Sequence, residues 1–146
     1  MTDTPTLSMS TRVVVLGAGY AGTGAVKAIE RAAPAEVELT WIADVDYHLV
    51  LHEVHRVIRD PAVAAEVAIP IDEVSTGGTS FIEATVTGID TEEQAVALED
   101  DRTVGYDYLL VAIGTGTAFY GIDGLDEHAF ELKSLADAEA IHTAMV

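Results

Sequence analysis

Four consecutive apolar residues, Val13-Val14-Val15-Leu16, run straight into glycines at 17, 19 and 22. Nothing else in the chain constrains its fold as strongly. An unbroken apolar run marks a strand buried on both faces of a parallel sheet, and such a sheet needs packed layers on both sides. Past the glycines, Ala21, Ala25, Ala28, Ile29 and Ala32 recur at helical spacing, and the pattern ends before Pro34. Val37 to Ile42 reads as the next strand. Strand, glycine turn, helix and strand within about 30 residues predict a βαβ unit.

Each glycine of Gly17-x-Gly19-x-x-Gly22 has a mechanical job in that context. Gly17 permits the tight turn, Gly19 lets a pyrophosphate approach the backbone, and Gly22 lets helix and strand pack closely. The phosphates of a dinucleotide would then lie at the helix N-terminus, where unpaired N–H groups and the helix dipole favour anions. Gly24, inside the helix, costs ~1 kcal/mol relative to alanine, which close packing on the sheet would offset. A dinucleotide site also needs a carboxylate about 20 residues further on, at the end of the second strand, to accept from ribose hydroxyls. Asp44 has that spacing and Asp46 competes with it. No arginine lies on that turn, which argues against a 2′-phosphorylated ligand.

Composition removes many alternatives. At 146 residues and 49% hydrophobic content, the chain suffices for one compact domain burying roughly 70% of its unfolded surface, but not for two. Zero cysteines exclude disulfides, thiolate metal sites and thiol redox chemistry from these residues. Apolar stretches such as Tyr108 to Ile113 are far short of the ~20 residues of a spanning helix, and no secretory signal pattern opens the chain. Lys+Arg 7 against Asp+Glu 25 gives a net charge of −18, with Lys27 and Lys133 the two lysines. Such a surface repels nucleic acid and anionic membranes. It also repels itself unless salt screens it, so an apolar interior under an acidic exterior predicts a salt-adapted, halophilic protein.

Along the rest of the chain, residues 1–10 read as a flexible leader and 11–146 as the domain. His48 to Ile58 predicts a short helix stopped by Asp60-Pro61. Residues 62–74 give no clear period, and Ser75 to Ser80 reads as a loop. Phe81 to Ile89 alternates, and Ala95 to Leu98 and Arg102 to Val104 follow as short strands. Together these predict a three-stranded antiparallel meander inserted into an α/β chain. Leu109 to Ile113 predicts a last apolar strand closed by Gly114 and Gly116. Ser134 with Asp137 three residues on predicts a capping box opening a final helix. Its stripe of Leu135, Ala138, Ile141 and Met145 is expected to be exposed and to favour self-association. The fold class is α/β: a Rossmann-like nucleotide-binding domain with an inserted β-meander.

Residues 13–24, the run Asp46-Tyr47-His48-Leu49 and the strand Tyr106-Asp107-Tyr108-Leu109-Leu110-Val111-Ala112-Ile113-Gly114 carry a family resemblance. The chain resembles the N-terminal FAD-binding part of the two-dinucleotide-binding-domain flavoproteins, and among them the type II NADH dehydrogenases. The resemblance implies an oxidoreductase that passes electrons from NADH through FAD to a quinone. It implies that Gly17, Gly19, Tyr20, Ala21 and Gly22 surround the pyrophosphate and that Asp44 holds the adenosine ribose. It further implies that the Val86 backbone meets adenine and that Ala112 and Gly114 pass the flavin side of the diphosphate. The histidine-rich stretch from His48 to His55 reads as a polar helix face beside the cofactor, with His48 near the flavin. In that register the family's acidic slot falls on Ala43, and its Ala-Thr-Gly reads Ala112-Ile113-Gly114. Only one glycine fingerprint occurs. The chain is therefore expected to be a truncated part of the enzyme, inactive alone, with NAD domain and C-terminal region lying outside it. Localisation is expected to be cytoplasmic, with the longer enzyme peripheral at the membrane through that C-terminal region. A sulfide:quinone oxidoreductase-like flavoprotein and a non-catalytic nucleotide-binding fragment are the alternatives.

No metal is expected. His52-Glu53-Val54-His55 is one residue short of the zinc pattern His-Glu-x-x-His, so its histidines would not share a helical face. His48 and His52 have i,i+4 spacing but no third ligand. His128 and His142 read as surface residues.

Overall fold

The structure is a computed structural model that describes residues 10–32 and 36–146. The leader expected over 1–10, apart from Ser10, and Pro34 lie outside the described residues. Strand β1 (Thr11–Leu16) leads through the glycine turn into helix α1 (Tyr20–Ala32) and strand β2 (Val37–Ala43). β1 and β2 pair in parallel, so the predicted βαβ unit is present. Strand β3 (Tyr47–Leu49), a 3₁₀ turn, helix α2 (His55–Arg59), a second 3₁₀ turn and helix α3 (Ala64–Val67) come next. Then strand β4 (Ala68–Pro70), which pairs antiparallel with β3, leads into helix α4 (Ile71–Val74). Strand β5 (Thr79–Glu83) joins the main sheet beside β2. Strands β6 (Val86–Asp90), β7 (Ala95–Leu98) and β8 (Thr103–Gly105) form the meander. Strand β9 (Tyr108–Val111) returns to pair parallel with β1, and helices α5 (Leu125–His128) and α6 (Leu135–Met145) complete the described chain.

The main sheet has the order β5-β2-β1-β9. Its pleat sends alternate side chains to two different cores. Val15, Leu39, Trp41 and Ala43 face α1 and α4, packing with Val26, Ile71 and Val74. Val14, Leu16 and Ile42 face the meander, packing with Ala84, Val96, Leu98 and Tyr106. This is why β1 is apolar at successive positions: each face has its own covering layer. A smaller third cluster joins α2, α3 and α6 through Val54, Val57, Val67 and Ala138.

Several expectations are corrected. The stripe of α1 that meets the sheet is Gly22, Thr23, Val26 and, partly, Ala25 and Ile29, whereas Ala21, Ala28 and Ala32 are exposed. Alanine tolerates either face, so the larger Val26 and Ile29 set the helix rotation. His48 to Ile58 is not one helix: His48 sits on β3, and helix begins only at His55. The alternating stretch 81–89 is two strands, not one. Ala84 is buried and its N–H donates to the Ala43 carbonyl at 2.8 Å, ending β5 in the parallel sheet before the chain turns into the meander at Val86. The expected α6 stripe is not laid bare. Ala138 is fully buried and Leu135 half-buried against α2 and α3, leaving Met145 exposed. Instead β9, the open edge of the sheet, exposes Tyr108, Leu110 and Val111, followed by Ile113.

Candidate functional site

In an open parallel sheet, ligands bind beyond the carboxyl ends of the strands where the strand order reverses. That reversal occurs at β1, with β2 on one side and β9 on the other. The Gly17–Gly22 turn leaves the carboxyl end of β1 there. It forms one wall of a cavity of about 680 Å³, which the ends of β2 and β9 and the start of the meander complete.

The glycines divide by what holds them. Gly17 has φ +98°, and a Cβ on it would lie 2.4 Å from the Ala112 carbonyl oxygen. A Cβ on Gly22 would lie 1.9 Å from the Gly17 oxygen. Both are required by the protein's own backbone. Gly19 is different, because a Cβ there meets nothing within 4 Å and the residue lines the cavity. The N–H groups of Tyr20, Ala21 and Gly22 lie in the first turn of α1, ahead of its intrahelical acceptors. Thr23 N–H donates to the Gly19 carbonyl at 2.9 Å and begins the helix ladder.

The turn is held from behind. Gly17 N–H donates to the Ile42 carbonyl at 2.7 Å, and the Gly17 carbonyl accepts from the fully buried Trp41 indole at 2.9 Å. The Ala18 carbonyl accepts from His48 Nδ1 at 2.8 Å. Since a carbonyl can only accept, that nitrogen carries the proton.

Of the residues singled out in the sequence, Gly17, Gly19, Tyr20, Ala21, Asp44, Val86, Ala112 and Gly114 all line the cavity. Gly22 and His48 are not on its wall: Gly22 is buried at the helix–strand contact, and the His48 ring lies behind the turn. Asp44 follows directly on β2 and faces the cavity, whereas Asp46 faces a separate depression beside Pro70 and Phe81. The three clustered histidines point to different partners. His48 meets Ala18, His52 Nδ1 lies 2.6 Å from the Tyr20 hydroxyl, and His55 Nδ1 lies 3.0 Å from the His52 carbonyl. His142, read as a surface residue, is half-buried with Nδ1 2.8 Å from the Ile58 carbonyl.

Sequence reasoning missed Lys133, Tyr47 and Trp41. Among the described residues, Lys133 is the one cation on the cavity wall and Asp44 the one carboxylate. The capping box of α6 places Lys133. Ser134 Oγ accepts from Asp137 N–H at 3.1 Å, and Asp137 Oδ2 accepts from the backbone N–H groups of Lys133 and Ser134 at 2.9 and 2.8 Å. The bond from Lys133 N–H is the largest influence holding the Asp137 carboxyl below its ordinary 3.8. Lys133 Nζ donates to the Thr115 carbonyl at 3.0 Å. Partial burial, then the charges of Asp44, Asp46 and Glu139, push the Tyr47 phenol above its ordinary 10, so it remains a neutral donor on the wall. The capping box was the one available signal for Lys133; nothing in the sequence ties Trp41 to the turn 24 residues earlier.

Fold and site together define a Rossmann-like α/β domain built on a Gly-x-Gly-x-x-Gly turn. The pyridine nucleotide-disulphide oxidoreductase family matches residues 11–146, and the chain belongs to it. It is 30% identical over 132 residues to a type II NADH:quinone oxidoreductase of Staphylococcus aureus, covering 89% of this chain and 33% of that protein. The chain thus spans about a third of the length of the curated relatives it matches. Its fold is similar to that of a sulfide:quinone oxidoreductase from Aquifex aeolicus, at TM-score 0.78 and 20% identity over 93% of this chain and 32% of that one. It is equally similar to NDH2 from Plasmodium falciparum in complex with NADH, at TM-score 0.78 and 20% identity over 91% of this chain and 28% of that one.

Proposed function

We propose that this chain is the FAD-binding part of a flavoprotein oxidoreductase that passes electrons from NADH to a quinone. The observation that carries the FAD assignment is Gly19. Its missing Cβ is demanded by no protein atom, and it borders a cavity at the N-terminus of a 13-residue helix. That cradle fits a diphosphate, because helix N–H groups donate to anions and only glycine lets the phosphates come close. The type II NADH:quinone oxidoreductase relatives support the electron donor and acceptor.

In this reading the N–H groups of the Gly17–Gly22 turn bind the diphosphate. Asp44, at the end of β2, accepts from the adenosine ribose hydroxyls, and the Val86 backbone borders the adenine. Ala112 and Gly114 line the path toward the flavin end, and Lys133 places positive charge on a wall of a protein whose net charge is −18. When bound, FAD supplies two-electron acceptance from NADH and delivery of those electrons to a quinone. The chain's own residues bind and orient it, and its two buried cores keep the turn fixed while they do so.

The test is Gly19→Val. A branched side chain in the vacancy blocks the phosphates, and its Cβ meets no protein atom within 4 Å, so flavin content should fall far more than thermal stability. Unchanged flavin stoichiometry in that variant overturns the placement. For the wider activity, sulfide offered in place of NADH to the longest natural form of the protein distinguishes the two kinds of quinone reductase.

A further inference from the structure

His48 and Thr23 are both buried and touch each other. His48 is 6% exposed, and its Nδ1 donates to the Ala18 carbonyl at 2.8 Å. Thr23 Oγ1 donates to the same carbonyl at 3.3 Å and lies 3.1 Å from the same nitrogen. Two side chains thus grip one carbonyl of the glycine turn from its buried side. They arrive from different elements, β3 and α1. The peptide unit is planar and trans, so the N–H of Gly19 points opposite to the C=O of Ala18. A carbonyl held toward the interior therefore turns the Gly19 N–H the other way, toward the cavity. Glycine's freedom makes rotation of this peptide cheap if nothing holds it, and every binding event would then have to freeze it again.

We propose that His48, assisted by Thr23, is a positioning residue for the phosphates of the bound dinucleotide. By locking the Ala18–Gly19 peptide plane, it presents the Gly19 N–H as a ready donor to the anion. The inference rests on the FAD reading above. It assigns to His48 a role behind the turn and not contact with the flavin. The His48 ring also meets Tyr20 edge-on, with centroids 5.0 Å apart at 82°, so ring and donor must be separated experimentally.

Two variants do this. His48→Phe keeps a ring against Tyr20 and removes the donor, whereas His48→Asn keeps an N–H donor near the Nδ1 position and removes the ring. FAD affinity is measured by flavin fluorescence in molar KCl, together with the ¹H–¹⁵N signal of the Gly19 amide with and without FAD. Loss of one donor of this kind predicts about tenfold weaker binding by His48→Phe. The FAD-dependent displacement of the Gly19 amide signal should be lost with it. His48→Asn should stay within about threefold of wild type and keep that displacement, a rescue that simple packing would not produce. Thr23→Val should fall between them, and it decides the matter alone if His48→Phe does not fold. Wild-type affinity and an undiminished Gly19 displacement in His48→Phe, or unchanged affinity in Thr23→Val, overturn the proposal while leaving FAD binding intact. So does a His48→Asn variant that binds as weakly as His48→Phe, since the ring would then be what matters. If the wild-type chain itself binds no FAD, the FAD reading falls, and this proposal with it.

Discussion

Glu30, on the outer part of α1, should make this domain lose stability in acid in a way that one substitution removes. Its carboxylate accepts from Ser75 Oγ at 2.5 Å, Thr79 Oγ1 at 2.6 Å, and Thr76 Oγ1 and N–H at 2.8 and 3.0 Å. The cluster ties α1 to the segment entering β5. Partial burial pushes this carboxyl up, but the hydrogen bonds from Ser75, Thr79 and Thr76 together outweigh it and hold it at about 2, against an ordinary 4.5. Each factor of ten in proton affinity is worth ~1.4 kcal/mol, which caps the contribution at ~3 kcal/mol. The group is partly solvated, and screening brings the figure to ~1–2 kcal/mol. Because the folded value is depressed, this stability is fully present above pH 4.5 and drains away as pH falls toward 2. Glu30→Gln keeps the shape and removes the charge. At pH 7 it should melt roughly 3–8 °C below wild type for a domain of this size. The assay is paired thermal or urea unfolding of both proteins from pH 7 to pH 2.5 in molar KCl. Taking the difference cancels the general relief of carboxylate repulsion, which acts on both. The gap should hold from pH 7 to about 5 and close by about pH 2. A gap that is absent at pH 7, or that persists undiminished at pH 2.5, refutes the reasoning.

Gly22→Ala places a Cβ 1.9 Å from the Gly17 oxygen, and backbone must move to admit it. The variant should lose at least ~1–3 kcal/mol, so a melt equal to wild type would contradict the close helix–strand packing. Net charge −18 on 146 residues predicts a melting temperature that climbs steeply from low salt to molar KCl, and a flat dependence would remove the salt-adapted reading. The 146-residue chain carries one Gly-x-Gly-x-x-Gly turn, and the proposed reaction needs FAD and NADH held against each other, an orientation worth ~7–11 kcal/mol of barrier. Assayed alone with FAD, NADH and a soluble quinone analogue, it should give background oxidation only. Turnover that disappears in Gly19→Val would defeat that expectation.

Local chemistry was legible in the amino-acid order. β1, the glycine turn and α1 are neighbours in sequence, and each step between them is dictated within a few residues: apolar run, positive φ, helix start. The same holds for the capping box at Ser134 and Asp137, and for the two hairpins of the meander, whose turns lie within their own strands' reach. What escaped depends on partners far along the chain. Alternation over 81–89 looks alike whether the strand is continuous or changes sheets, and only the bond from Ala84 to Ala43 decides that it changes. Asp44 and Asp46 are chemically equal and two residues apart; the end of β2 at Ala43 and the turn into β3 send them to different cavities. The sequence predicts His48 on a helix, yet pairing of β3 with β4 puts it on a strand, behind the turn it supports. Trp41, Lys133 and Glu30 act on groups 18 to 49 residues away, through a carbonyl or a cluster of hydroxyls that periodicity does not mark. Sequence by itself determined which segments become strand, turn and helix, because those preferences are short-ranged. Only the tertiary structure decided which polar side chains meet, because a hydrogen bond depends on distances of about 3 Å that the chain reaches once its layers have packed.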